Sequence, residues 1–196
     1  MLRTSQHSLG HGALALVALG ALAFLPAAAR AQGVPDVASA GAIRTQFLSD
    51  LDSLQGRFVA LAEKIPADKY SWRPMAGTRS IGEVFKHVAS EYYTYGPVSF
   101  GATRSSVIPR TKEGFESFEA ASSKEEALKH LREGFAFARQ SIASLDPASL
   151  AGTKKLFGGD HTIIETSTGV MNDLHEHLGQ LVAYARMIGV VPPWSK

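Results

Sequence analysis

The chain of 196 residues contains no cysteine. This excludes a disulfide framework, a thiolate nucleophile, a cysteine zinc site and a lipid-modified cysteine. An excess of one charge is also missing, with 20 Lys and Arg against 18 Asp and Glu. Two of the bases, Arg3 and Arg30, fall within residues 1–31, which hold no acid, so the remainder is formally neutral. No basic stripe interleaved with aromatics occurs, and a nucleic-acid partner is not expected. A serine nucleophile elbow, a phosphate-cradling glycine loop and a dinucleotide fingerprint are all lacking. So is any segment with a convincing strand period, an internal repeat or a second domain.

The one long apolar run lies at the N-terminus, from Ala13 to Leu25. Arg3 precedes it, and the small-residue sequence Ala29-Arg30-Ala31 follows. As a helix the run rises only about 20 Å, whereas a bilayer core needs about 30 Å. A cation, a short apolar run and small residues make a secretory signal peptide, with cleavage expected after Ala31. The expected product is a secreted or periplasmic protein of about 165 residues with no stable membrane anchor, enough for one domain that buries roughly two-thirds of its unfolded surface.

Past this segment the pattern is helical. Residues 32–40 lack periodicity and read as a leader. Ile43, Phe47, Leu51, Leu54, Phe58, Leu61 and Ile65 recur at spacings of three and four, one stripe of a first helix that Pro66 stops. Tyr70-Ser-Trp-Arg-Pro74 reads as an irregular connector. Ser80-Ile-Gly-Glu83 has the spacing of a capping box and opens a second helix striped by Ile81, Val84, Phe85, Val88, Tyr92 and Tyr95, ended or kinked by Gly96-Pro97. Residues 101–121 read as a long crossover. A third helix runs from Ser122 or Ser123 through Leu128, Leu131, Phe135, Ala138 and Ile142 to Asp146-Pro147. Phe157-Gly158-Gly159-Asp160 is a turn by composition. The fourth helix begins near Thr162, with Glu165 three residues on, and runs to about Ile188. Four amphipathic helices with a long middle connection give an all-α fold, a four-helix bundle over residues 41–196.

Two helices carry residues suited to metal chemistry. On the fourth, Asp173 and His177 stand four apart, about 40° from one another around the axis. On the second, His87 and Glu91 have the same spacing. Bundles build metal sites from inward pairs on facing helices, and imidazole with carboxylate suits zinc, nickel, iron or manganese. A histidine beside an apolar stripe is, all the same, more often a hydrogen-bonded structural residue. His175 falls on the far side of its helix, and His130 and His161 read as surface or loop residues. Tyr70, Trp72, Tyr92, Tyr93 and Trp194 read as core and rim aromatics.

Tyr70-Ser-Trp-Arg-Pro74, Arg79-Ser-Ile-Gly-Glu-Val84 followed by His87, and His175-Glu-His-Leu-Gly-Gln-Leu181 leading to Trp194 together resemble the DinB-like superfamily, over about residues 43–194. The resemblance implies a four-helix bundle with a long middle connection. It commonly implies a divalent metal held by three histidines, one from the second helix and two from the fourth. His87 matches the first and His177 the last, while the remaining position holds Asp173. Relatives include transferases and isomerases that use low-molecular-weight thiols, a chemistry ill suited to an exported protein.

The resulting expectation is an exported protein with a divalent-metal site formed by His87, Asp173 and His177, acting as a hydrolase or thiol-type transferase on a small molecule. Glu91 is the candidate fourth ligand or general base. The alternative is a non-catalytic bundle that binds a small ligand or a protein partner, with a homodimer as one such arrangement.

Overall fold

The computed structural model describes residues 33–120 and 123–195. The expected signal peptide lies outside these residues. Among the described residues seven α-helices and one hairpin follow in order, with a short 3-10 turn (Ala67–Lys69) after the first helix: α1 (Val37–Lys64), α2 (Ile81–Tyr93), α3 (Tyr95–Ser99), α4 (Lys112–Glu119), α5 (Lys124–Ala143), α6 (Pro147–Leu150), β1 (Thr153–Leu156), β2 (Gly159–Thr162) and α7 (Ile163–Met187). The long helices α1, α2, α5 and α7 are the four expected of the bundle. Among the described residues no helix is long and apolar enough to cross a membrane.

The stripes meet as their spacing requires. Phe47, Leu51, Leu54, Phe58 and Leu61 of α1, with Ile65 at its C-terminal cap, are buried against Ile81, Val84, Phe85 and Val88 of α2, Leu131, Phe135 and Ile142 of α5, and Leu174 and Leu181 of α7. Tyr92 stacks on Phe135 with ring centroids 4.6 Å apart. Tyr95 breaks the expected pattern. Thr94 interrupts the helix with non-helical backbone angles, and Tyr95 opens α3 partly exposed instead of continuing the buried stripe. The leader is also shorter than expected, because Asp36 accepts a hydrogen bond from the Ser39 amide and starts α1 at Val37.

Three further features depart from the sequence reading. The crossover is not irregular throughout, since Thr111 caps the eight-residue α4. Phe118 of α4 packs edge-on against Tyr93 and His130, 5.9 and 4.9 Å away, and under the Lys86 ammonium at 4.2 Å. His130 is therefore a partly buried packing residue rather than a free surface one. Strand structure is present as well, in the antiparallel hairpin of β1 and β2, which pairs Thr153 with Thr162 and Leu156 with Gly159. Its two-residue turn needs positive φ at both positions, supplied by Phe157 at 52° and Gly158 at 84°. The strands are four residues each and half exposed, too short for an alternation signal.

The connector after α1 fastens one end of the bundle. Tyr70 donates its hydroxyl to the Ala62 carbonyl at 2.7 Å, and its own carbonyl accepts from the Gly82 amide at 2.9 Å. Trp72 lies edge-on against Tyr184 of α7. The N-terminal end of α2 and the C-terminal end of α7 are thus set before their polar residues are considered.

Candidate metal centre

α2 and α7 each start at a complete capping box, Ser80 with Glu83 and Thr162 with Glu165, which fixes the rotation of each helix at its first turn. The helices run antiparallel where they meet. His87 and His177 face each other with ring centroids 4.9 Å apart at 83°. One turn further along α2, Glu91 places Oε1 3.3 Å from His87 Nε2 and Oε2 3.7 Å from His177 Nε2. One turn back along α7, Asp173 Oδ1 lies 3.7 Å from the same His177 nitrogen.

His87, Glu91 and His177 each offer a ligand atom within 4.8 Å of the others, a group able to hold a metal ion. Asp173 borders this triad rather than belonging to it. Its side chain is 33 % exposed, against 16–17 % for the three others, which puts it on the open edge. Of the residues expected from spacing, His87, Glu91, Asp173 and His177 all converge, while His175 is exposed on the opposite side of α7. The difference lies in Glu91, which sits between the two imidazoles where Asp173 was expected to complete the set.

Behind the triad stands a shell that the sequence did not reveal. His87 Nδ1 is 2.8 Å from Glu119 Oε1, the same oxygen that accepts from Ser90 Oγ at 2.7 Å, while Glu119 Oε2 pairs with Arg79 at 3.2 Å. His177 Nδ1 lies 3.4 Å from Gln180 Oε1, and the Gln180 amide nitrogen donates to the Tyr184 hydroxyl at 3.1 Å. Each imidazole is held from behind through Nδ1, and each Nε2 faces the Glu91 carboxylate. This arrangement fixes the tautomer of a ligating histidine with its lone pair toward the metal. Glu119 comes from α4, inside the stretch read as a crossover, and nothing in its local sequence marks it. Gln180 was legible in principle, three residues after His177 on the same helix face.

The electrostatics suit a cation. Burial opposes a charge on His87, but Glu119 and Glu91 outweigh it and push the imidazole up to about 9. Burial would raise Glu119, yet His87, Ser90 and Arg79 hold it down at about 2. Burial and the facing Glu91 carboxylate push Asp173 up to about 6. Glu91 Oε2 is buried without a hydrogen-bond partner, a costly state for a carboxylate oxygen. An ion bound between the imidazole Nε2 atoms would satisfy that oxygen and relieve the repulsion of the two carboxylates. The residues present therefore fit a divalent metal, by donor chemistry and by the orphaned oxygen alike.

A sequence profile of the DinB superfamily matches residues 50–181. The chain belongs to the DinB superfamily. Its fold is similar to the crystal structure of the DinB-like protein YjoA from Bacillus subtilis, with a TM-score of 0.55 and 23 % identity over 74 % of this chain and 92 % of that one. No curated protein matches the chain. Superfamily membership bears out the resemblance carried by the motifs, and the helical fold bears out the all-α bundle expected from the stripes. In this DinB-superfamily chain two of the three implied histidine positions, His87 and His177, face each other, and Glu91 completes the group able to hold a metal ion.

Proposed function

We propose that this protein is an exported metal-binding member of the DinB superfamily that acts as a hydrolase or thiol-type transferase on a small molecule. The convergence of His87, Glu91 and His177 on one point, with Glu91 Oε2 buried and unpartnered, carries the reading. Export rests on the composition of residues 1–31 alone.

His87, Glu91 and His177 hold the metal in this reading, and zinc, nickel, iron and manganese all suit two imidazoles and a carboxylate. Such a metal supplies Lewis acidity, polarising a carbonyl or lowering the pKa of a water or thiol. Glu119 and Gln180 keep the two imidazoles in the ligating tautomer. The geometry favours an exchange of the roles expected from spacing, with Glu91 as ligand and Asp173 as the carboxylate that takes up a proton at Oδ1 from the incoming nucleophile. Asp173 stands on the exposed edge, where a small molecule enters.

A second reading is a non-catalytic bundle that binds a ligand or partner, favoured by Asp173 standing where the superfamily resemblance implies a histidine. Elemental analysis after reconstitution with zinc, nickel or manganese separates the two. One equivalent of metal in the wild type, lost in His87→Ala and in His177→Ala, supports the metal-dependent reading. A wild type that stays sub-stoichiometric with every metal overturns it and leaves the scaffold reading.

A further inference from the structure

The segment between α3 and α4 combines a charge pattern and a cleft that the metal centre does not use. Residues 101–111, Gly-Ala-Thr-Arg-Ser-Ser-Val-Ile-Pro-Arg-Thr, hold two cations, Arg104 and Arg110, and no acid in a chain that is otherwise balanced. Arg104 and Arg110 line a cleft of about 290 Å³ together with Thr103, Ser105, Ser106 and the apolar Ile108.

Arg104 is held in place by its own surroundings. Its Nη2 donates to the Ile108 carbonyl at 2.6 Å and its Nε to the Ser105 carbonyl at 3.4 Å, and the guanidinium lies over the Phe115 ring at 5.3 Å. All of these partners are neutral. Among the described residues no carboxylate forms an ion pair with Arg104 or Arg110, although most other arginines of the bundle, including Arg73, Arg79, Arg132 and Arg139, have one. Burial and the nearby Arg110 charge both lower the Arg104 pKa, so the two guanidiniums repel each other across the cleft. Folding two like charges together without a counter-charge is unfavourable unless an anion relieves it.

We propose that the cleft of Thr103, Arg104, Ser105, Ser106 and Arg110 is a binding site for a phosphate group. Two guanidiniums balance a dianion, and the planar donor forks of arginine match phosphate oxygens. The three hydroxyls add donors beyond those that the two oxygens of a carboxylate can accept, which favours phosphate over carboxylate. The bearer of the phosphate is a soluble phosphate ester or a phospholipid headgroup. The site is independent of the metal reading, because among the described residues its lining shares no side chain with the metal centre.

The test is calorimetric and NMR titration of the full chain with inorganic phosphate at low ionic strength, using wild type, Arg110→Gln and His177→Ala. Arg110 is exposed, and among the described residues its side chain makes no hydrogen bond or ion pair, so its replacement leaves the structure intact. Saturable one-to-one binding with amide shifts at residues 103–110, weakened about tenfold in Arg110→Gln and unchanged in His177→Ala, supports the site. No saturation at millimolar phosphate, equal binding by Arg110→Gln, or equally tight binding of acetate overturns it. Sedimentation with phosphatidylcholine vesicles containing phosphatidic acid identifies the source. Retention that Arg110→Gln loses assigns the headgroup, and phosphate binding without retention assigns a soluble ester.

Discussion

At the residue scale, Glu119 holds His87 from 32 positions along the chain. Its carboxylate oxygen accepts from the imidazole Nδ1 and the Ser90 hydroxyl together, so removing the charge turns charge-assisted hydrogen bonds into weaker neutral ones and loosens the ring. Outer carboxylates of this kind are worth about 10- to 100-fold in metal affinity. Glu119→Gln is expected to weaken zinc binding by that factor, measured by competition with a chromophoric chelator, while the circular dichroism of the bundle is retained. Tyr92 illustrates the opposite case. Its ring is locked on Phe135, yet its buried hydroxyl has no partner, and burial with the Glu91 and Asp173 charges keeps the phenol protonated. An unmade hydrogen bond of a buried hydroxyl costs about 1–3 kcal/mol. Tyr92→Phe is accordingly expected to leave the urea midpoint unchanged or higher, and a loss above about 1 kcal/mol would show that the hydroxyl is satisfied in solution.

At the scale of the element, the two helices of the candidate metal centre share one device at their N-termini. In each box the serine or threonine hydroxyl accepts the amide of the third helical residue, and the glutamate there accepts the cap amide. Removing the hydroxyl in Thr162→Ala is expected to cost about 1 kcal/mol in chemical denaturation. The glutamates add a pH dependence. Burial opposes ionisation of Glu83, but Ser80 and Arg73 hold its pKa below the ordinary value. The backbone and side chain of Thr162 do the same for Glu165. A carboxylate whose folded pKa is depressed contributes stability that is complete above its unfolded pKa and is lost as pH falls through the folded one. Stability should therefore drop on acidification below about pH 4.5, and Glu83→Gln with Glu165→Gln should flatten that limb in urea titrations across the range. An unchanged slope would show that the boxes do not titrate.

At the scale of the whole molecule, the position of α2 is set by its closest neighbour, α5. A Cβ at Gly134 would lie 2.9 Å from the Ala89 carbonyl oxygen and 3.4 Å from its Cα, backbone atoms that cannot rotate away. Gly134→Ala would gain about 1 kcal/mol of helix propensity. Forcing the helices apart costs about 1–3 kcal/mol, and with rigid backbone as the obstacle the upper part of that range applies. Net destabilisation is expected in thermal or urea unfolding. Because α2 also carries His87 and Glu91, weaker metal binding should accompany it. A gain in stability would show that the helices are farther apart than 2.9 Å implies.

The sequence by itself determined the elements whose information is local. The 3.6-residue stripes from Phe47 to Ile65 and from Leu174 to Ala185, the boxes at Ser80 and Thr162, and the i, i+4 pairs His87–Glu91 and Asp173–His177 all repeat within one or two turns, so periodicity exposes them. Only the tertiary structure decided how those pairs combine. Placing Glu91 rather than Asp173 between the imidazoles depends on the rotation and offset of α2 against α7, which packing sets and spacing does not encode. Bringing Glu119 to His87 depends on α4, whose eight residues bury no full stripe and are held down by Phe118 among Tyr93, His130 and Lys86. A short helix docked by one aromatic leaves no period to read, and a contact across 32 residues exists only once the chain has closed on itself.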